Sequence, residues 1–214
     1  MIQGCKYRAH FLVARCFAAS GLMTIACVSA SAQDFAWSEN AGWLNWAEDN
    51  GDDQGPAYSP DAISGFVWGE NIGWINLGDG APVPPASSQT GEDFGVGIDH
   101  NGFLFGYAWG ENIGWVNFGP YMSTPDQPRF HRGRLLGYAW AENIGWINLD
   151  DDEHFVQLAC PADLNGDGIN DIFDVFVFLD QFNAGSLRAD WDLSGTLDIF
   201  DVFGFLSDFG MGCP

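Results

Sequence analysis

Tyr107-Ala108-Trp109-Gly110-Glu111-Asn112-Ile113-Gly114-Trp115-Val116-Asn117 reads as two short strands and the turn between them. Residues alternate in character on both sides of Glu-Asn-Ile-Gly, the period-2 pattern of strands with two unlike faces. Asn and Gly are residues that tolerate a tight turn. Folding the stretch about that turn sets Trp109 opposite Trp115 and Tyr107 opposite Asn117 on one face. Ala108 and Val116 then share the other.

The line recurs. Phe35-Ala36-Trp37-Ser38-Glu39-Asn40-Ala41-Gly42-Trp43-Leu44-Asn45 precedes it, as does Phe66-Val67-Trp68-Gly69-Glu70-Asn71-Ile72-Gly73-Trp74-Ile75-Asn76. Tyr138-Ala139-Trp140-Ala141-Glu142-Asn143-Ile144-Gly145-Trp146-Ile147-Asn148 follows. The first Trp recurs at intervals of 31, 41 and 31 residues, and the longer interval holds a Pro, Ser and Gly-rich stretch over 78–93 that reads as an inserted loop. Extra strands are expected at Val96-Gly97-Ile98, before His100-Asn101-Gly102, and at Arg129-Phe130, before His131-Arg132-Gly133. Residues 33–159 are therefore expected to be a mainly β, four-copy Trp-rich domain of antiparallel hairpins or meanders. Such copies bury one continuous core as a sandwich, a barrel or a propeller-like array.

This region resembles Trp-x-Glu-Asn-x-Gly-Trp-[Ile/Val]-Asn repeats of exported bacterial proteins, which implies a secreted β repeat and no particular activity. Two readings of its aromatic residues stand side by side. Trp68, Trp74, Trp109, Trp115, Trp140 and Trp146 are candidate glycan-binding residues, because indole faces stack on sugar C–H surfaces while Glu and Asn bond hydroxyls. The same Trp pairs also serve as cross-strand packing, with Asn and Glu fixing the turn. A feature repeated at every copy more often builds the repeat than binds a ligand, so the packing reading is preferred.

The chain from Cys160 to Pro214 carries a second duplication. Asp163-Leu164-Asn165-Gly166-Asp167-Gly168-Ile169-Asn170-Asp171-Ile172-Phe173-Asp174 lies without a gap on Asp190-Trp191-Asp192-Leu193-Ser194-Gly195-Thr196-Leu197-Asp198-Ile199-Phe200-Asp201, 27 residues later. Oxygen side chains at positions 1, 3, 5, 9 and 12 of a twelve-residue loop, with Gly at 6, form the calcium pattern of an EF-hand loop. One loop offers Asp163, Asn165, Asp167, the Ile169 carbonyl, Asp171 and Asp174. The other offers Asp190, Asp192, Ser194, the Thr196 carbonyl, Asp198 and Asp201. Carboxylates about 4 Å apart repel by roughly 1 kcal/mol per pair even in water, so a cation is what closes such loops, and two calcium ions are expected. Position 12 is Asp rather than Glu in both, which shortens the reach for bidentate coordination.

The duplicated Asp-ended loop, each copy followed by one apolar helix, resembles a dockerin domain, and residues 160–214 are identified with that family. The start at Cys160-Pro161 and the end at Gly212-Cys213-Pro214 resemble its Gly-Cys-terminated bacterial variant. The resemblance implies a small all-α module that binds a cohesin-like or cell-surface partner in a calcium-dependent way. The docking faces would lie on the helices beginning at Ile172 and Ile199, through Ile172, Phe173, Phe176, Ile199, Phe200 and Phe203. Ile-Phe stands at loop positions 10 and 11 in both copies, where dockerins often carry small polar recognition residues, which separates this chain from a familiar cohesin pairing.

Residues 1–32 read as a signal peptide: Lys6, Arg8 and Arg15, then an apolar Ala-rich run, then Ala30-Ser31-Ala32. The apolar run is short for a membrane span, so no membrane insertion is expected after cleavage, and the protein should be secreted or at the cell surface. Beyond residue 32 all 29 acids face only Arg129, Arg132, Arg134 and Arg188, a net charge of −25. Nucleic acid and anionic membranes are poor partners for such a surface. Cys5, Cys16 and Cys27 leave with the signal, and the remaining Cys160 and Cys213 read as a disulfide in an exported protein. Closing that loop is worth roughly 4 kcal/mol in the chain-entropy picture.

Catalysis is not expected. The exported part has three histidines, at 100, 131 and 154, with no close pair, no Gly-x-Ser-x-Gly elbow and no phosphate-cradling Gly loop. The repeat Glu residues occupy equivalent turns, whereas an acid/base pair needs two different environments. The expectation is a secreted non-catalytic protein docking through its calcium module. The alternatives are a dockerin-tethered carbohydrate-binding protein and, further behind, a polysaccharide hydrolase.

Overall fold

The computed structural model describes residues 32–47, 54–81, 94–119, 127–152 and 154–213. The expected signal segment lies outside them except for Ala32, and most of the expected inserted loop is likewise outside. The first strands are β1 (Ala32–Gln33), β2 (Phe35–Ser38), β3 (Gly42–Asn45), β4 (Ala57–Ser59), β5 (Ala62–Ser64), β6 (Phe66–Gly69) and β7 (Gly73–Asn76). They are followed by β8 (Val96–Ile98), β9 (Leu104–Gly110), β10 (Gly114–Asn117), β11 (Arg129–His131), β12 (Arg134–Leu136), β13 (Tyr138–Ala141), β14 (Gly145–Asn148) and β15 (His154–Gln157). Two helices close the chain, α1 (Ile172–Ala184) and α2 (Ile199–Met211).

Each of the four Trp lines is a hairpin with the register its alternation demands. Trp109 pairs with Trp115, Ala108 with Val116 and Tyr107 with Asn117. The other three repeat this with Trp37/Trp43, Trp68/Trp74 and Trp140/Trp146. The hairpins then join edge to edge, β3 to β6, β7 to β9 and β10 to β13, and β14 returns to β2. Of the three architectures open to the sequence, the result is an eight-stranded antiparallel barrel. Closure removes every free sheet edge from the ring.

The interior explains why the ring closes at eight. The first strand of each hairpin points a small or medium residue inward and the second a larger one: Ala36/Leu44, Val67/Ile75, Ala108/Val116 and Ala139/Ile147, all buried. Alternating small and large side chains fill a barrel of this size without a lumen. Ala41, Ile72, Ile113 and Ile144 plug the turn end, and Trp46, Leu77, Phe118 and Leu149 plug the other.

Extra strands flank the barrel. β8 runs along the first half of β9 and carries β5 and then β4, while β11, β12, β15 and β1 form a separate four-stranded sheet with β1 parallel to β15. The expected strands at 96–98 and 129–130 are β8 and β11. The helical part has its own small core. Phe178 and Phe205, equivalent residues of α1 and α2, stack face to face at 4.2 Å, with Trp191 edge-on to both. Cys160 and Cys213 are joined by a disulfide, closing the ends of this part upon each other.

Candidate functional site

The two acidic loops are organised by the carboxylates at their first and last positions. In the first loop Asp163 accepts from the backbone N–H of Gly166, Asp167 and Gly168, while Asp174 accepts from those of Leu164, Asn165 and Asp171. The second loop repeats the scheme. Asp190 accepts from Ser194 and Gly195, and Asp201 from Trp191, Asp192 and Asp198. These four carboxylates are buried, and backbone donors offset their repulsion. Burial raises the Asp163 carboxyl above the usual carboxylate range, and the N–H groups of Gly168 and Gly166 oppose that rise. Asp171 and Asp198 at position 9 are the helix N-caps, each in a capping box with the acid at position 12. Position 6 takes a left-handed backbone, φ 80° at Gly168 and 81° at Gly195, where a side chain would be strained.

Among the described residues, Asp190, Asp192 and Asp201 form the group of three acids whose oxygens all lie within 4.8 Å of one another. A calcium–oxygen distance of about 2.3–2.6 Å puts two ligands of one ion at most about 5 Å apart, so this set fits the cation. No such group of three acids is present in the first loop. Asn165 stands where the second loop has Asp192, and its amide donates to the Asp167 carboxylate at 2.9 Å.

The helices divide their apolar residues sharply. Phe178 and Phe205 are buried, whereas Ile172, Phe173, Phe176 and Leu179 on α1 and Ile199, Phe200, Phe203 and Leu206 on α2 are 49–65% exposed. All six residues proposed from sequence for docking are on this uncovered surface.

The paired Trp residues of the four hairpins lie outside the barrel, whereas Trp46 is in its core. Each pair packs edge to face with ring centroids 4.7–4.9 Å apart. Phe35, Phe66, Tyr107 and Tyr138 extend each pair. The result is an aromatic belt in which Trp37, Trp43, Trp74, Trp109, Trp140 and Trp146 are 38–47% exposed. The cross-strand packing expected from sequence is present, and the exposed rings remain available to a ligand. Trp37 and Trp43, absent from the sequence-based glycan set, belong to the same belt.

The turn residues do something the sequence did not disclose. Gly42, Gly73, Gly114 and Gly145 adopt φ of 75–78°, and the Asn two residues earlier does not have positive φ. Asn's part lies instead between hairpins. Asn71 donates to the carbonyl of Ala41, Asn112 to Ile72, Asn143 to Ile113 and Asn40 to Ile144, each at 3.0 Å. Four bonds thus lace the barrel rim, the last closing the first hairpin on the fourth. Glu39, Glu70, Glu111 and Glu142 are exposed beside this ring and make no hydrogen bond or ion pair with the described residues.

The junction between barrel and helices is also built from residues that motif reading passed over. Arg188 donates to the Pro60 carbonyl and the Tyr58 hydroxyl, each at 2.9 Å. Asp208, buried, accepts from Arg132 Nε at 2.8 Å and Trp191 Nε1 at 2.9 Å. His131 Nε2 lies 3.3 Å from the Trp191 carbonyl, and Ser186 Oγ donates to the His100 carbonyl. Burial among Arg129 and Arg132 holds the His131 imidazole down to about 3. The available signal was the scarcity of cations: of four arginines in so acidic a chain, Arg129, Arg132 and Arg188 stand at the seam, while Arg134 pairs with Asp150 inside the β part. Trp191, at position 2 of the second acidic loop, ties that loop to the β part.

No family model, curated protein or solved structure matches the chain.

Proposed function

We propose that the chain is an exported, non-catalytic binding protein that docks to a cohesin-like or cell-surface protein through its two helices. Calcium at Asp163/Asp167/Asp174 and Asp190/Asp192/Asp201 would hold those helices in register. The observation that carries this reading is the duplicated apolar face. Eight large side chains stand uncovered on a part of the molecule that already has a core of its own. Contiguous exposure of that extent is a mark of an interaction surface. The helical part meets the β part through Ser186, Leu187, Arg188, Trp191 and Asp208, not through these faces. The barrel is then the displayed unit, and its four equivalent rim Glu residues are assigned no catalytic step.

The test uses oxidised residues 33–214 as bait on envelope and secreted fractions, with calcium and then with chelator. One protein retained with calcium, and lost both with Asp167→Ala plus Asp192→Ala and with Phe176→Asp plus Phe203→Asp, supports docking. Retention indifferent to chelator or to the Phe substitutions refutes it.

A further inference from the structure

The four seams between neighbouring hairpins share one backbone plan but are not alike at the surface. Trp43 of the first hairpin is packed by His154, with ring centroids 4.5 Å apart, and Trp115 of the third by Phe94, 5.5 Å away. Among the described residues, Trp74 and Trp146 carry no ring beyond those of their own hairpins. Between these two, the second hairpin has Phe66 where the fourth has Tyr138. The seam where β14 meets β2 therefore combines an uncovered indole with a phenol hydroxyl. Trp146 is also the most exposed indole, at 47%.

At that seam lies a groove of about 840 Å³, with Tyr138, Trp140, Trp146 and Asn148 on one side and Trp37 and Glu39 on the other. Its size falls within the range of ligand clefts. The Glu39 carboxylate and the Tyr138 hydroxyl make no bond with the described residues. The Asn148 side-chain oxygen Oδ1 accepts from the Asp150 backbone N–H, and Asn148 also lines the groove.

We infer that this seam is a saccharide-binding site for a neutral polysaccharide. Apolar ring faces with an acceptor carboxylate and a few donors suit a ligand with C–H surfaces and hydroxyl groups on one body. The sign of charge argues against acidic polymers: Glu39 is the groove's charged group, and residues beyond 32 carry −25. A proline-rich peptide would also stack on aromatic walls, but its carbonyls offer nothing for the carboxylate to accept. The inference does not depend on the docking reading.

The test is migration of oxidised, calcium-loaded residues 33–214 through native gels containing mannan, xylan, a soluble β-glucan, polygalacturonate or no polymer, and titration with a proline-rich peptide. Retardation by at least one neutral polymer and by neither the acidic one nor the peptide is expected. Trp146→Ala should weaken it about tenfold, the equivalent of one stacked ring, and Glu39→Gln should weaken it also. Trp74→Ala removes the matching indole of another hairpin at equal structural cost and should leave retention unchanged. Retardation by no neutral polymer, retention of the acidic polymer or the peptide instead, or equal loss in Trp74→Ala and Trp146→Ala would each overturn the assignment.

Discussion

Acidification should loosen this protein through one imidazole, and the effect can be worked out. His131 is 6% exposed and lies between Arg129 and Arg132 with its Nε2 at the Trp191 carbonyl. Burial first, and the Arg129 charge second, lower its pKa to about 3 from the usual 6.5. The folded protein therefore keeps a neutral imidazole while the unfolded chain takes up a proton. Stability is fully present above pH 6.5 and is lost progressively as pH falls towards 3. Between pH 7.5 and pH 5 that one group removes about 2 kcal/mol. The comparison is urea unfolding of oxidised residues 33–214 at the two pH values, in saturating calcium, for the parent and for His131→Gln. Gln retains an N–H donor for the Trp191 carbonyl, so the variant should fold, with a pH-dependent loss smaller by about 2 kcal/mol. Carboxylate titration is common to both chains and cancels. Identical losses in the two would refute the claim that His131 is buried neutral at the junction.

Other substitutions separate the structural devices. Asp208→Ala leaves the Trp191 indole N–H and the Arg132 guanidinium without their buried acceptor, and should cost about 2–3 kcal/mol in urea unfolding; Arg132 is partly exposed, which keeps the loss below that of a fully buried pair. Asn112→Ala removes one of the four rim bonds and should cost about 1 kcal/mol, whereas Glu111→Ala, beside it and without a bond to the described residues, should change stability by less than about 0.5 kcal/mol. Leu44→Ala opens the filled barrel interior and should cost about 3 kcal/mol by the same measurement, since the closed ring cannot collapse around the gap.

The hairpins were legible because period-2 alternation states which residues face each other, and the Trp109–Trp115 and Ala108–Val116 pairings follow from it alone. Closure into a barrel was not legible. It depends on β14 meeting β2 across more than a hundred residues, and no local pattern distinguishes that from an open array. The rim Asn illustrates the limit: its recurrence was visible, but its partner belongs to the preceding copy, so a within-copy reading assigned it to its own turn. The acidic loops could be placed residue by residue because their chemistry is written in contiguous spacing. The difference between them turns on Asn165 standing where the second loop has Asp192, which sequence shows as a substitution and geometry shows as an amide turned to the Asp167 carboxylate. The exposed helix Phe residues were anticipated from the resemblance of the duplicated loops and helices to a docking module. The division that puts Phe178 and Phe205 inside and Phe176 and Phe203 outside needed the packing of one helix on the other.

The docking account rests on metal in the two loops, and calcium stoichiometry addresses it most directly. Calcium is titrated calorimetrically into chelator-stripped, oxidised residues 33–214, beside Asp192→Ala and Asp167→Ala, which remove exposed candidate ligands while leaving the buried carboxylates that hold each loop. The account predicts two ions per chain, one lost with Asp192→Ala and the other with Asp167→Ala. Absence of binding, or a stoichiometry unchanged by either substitution, would contradict it.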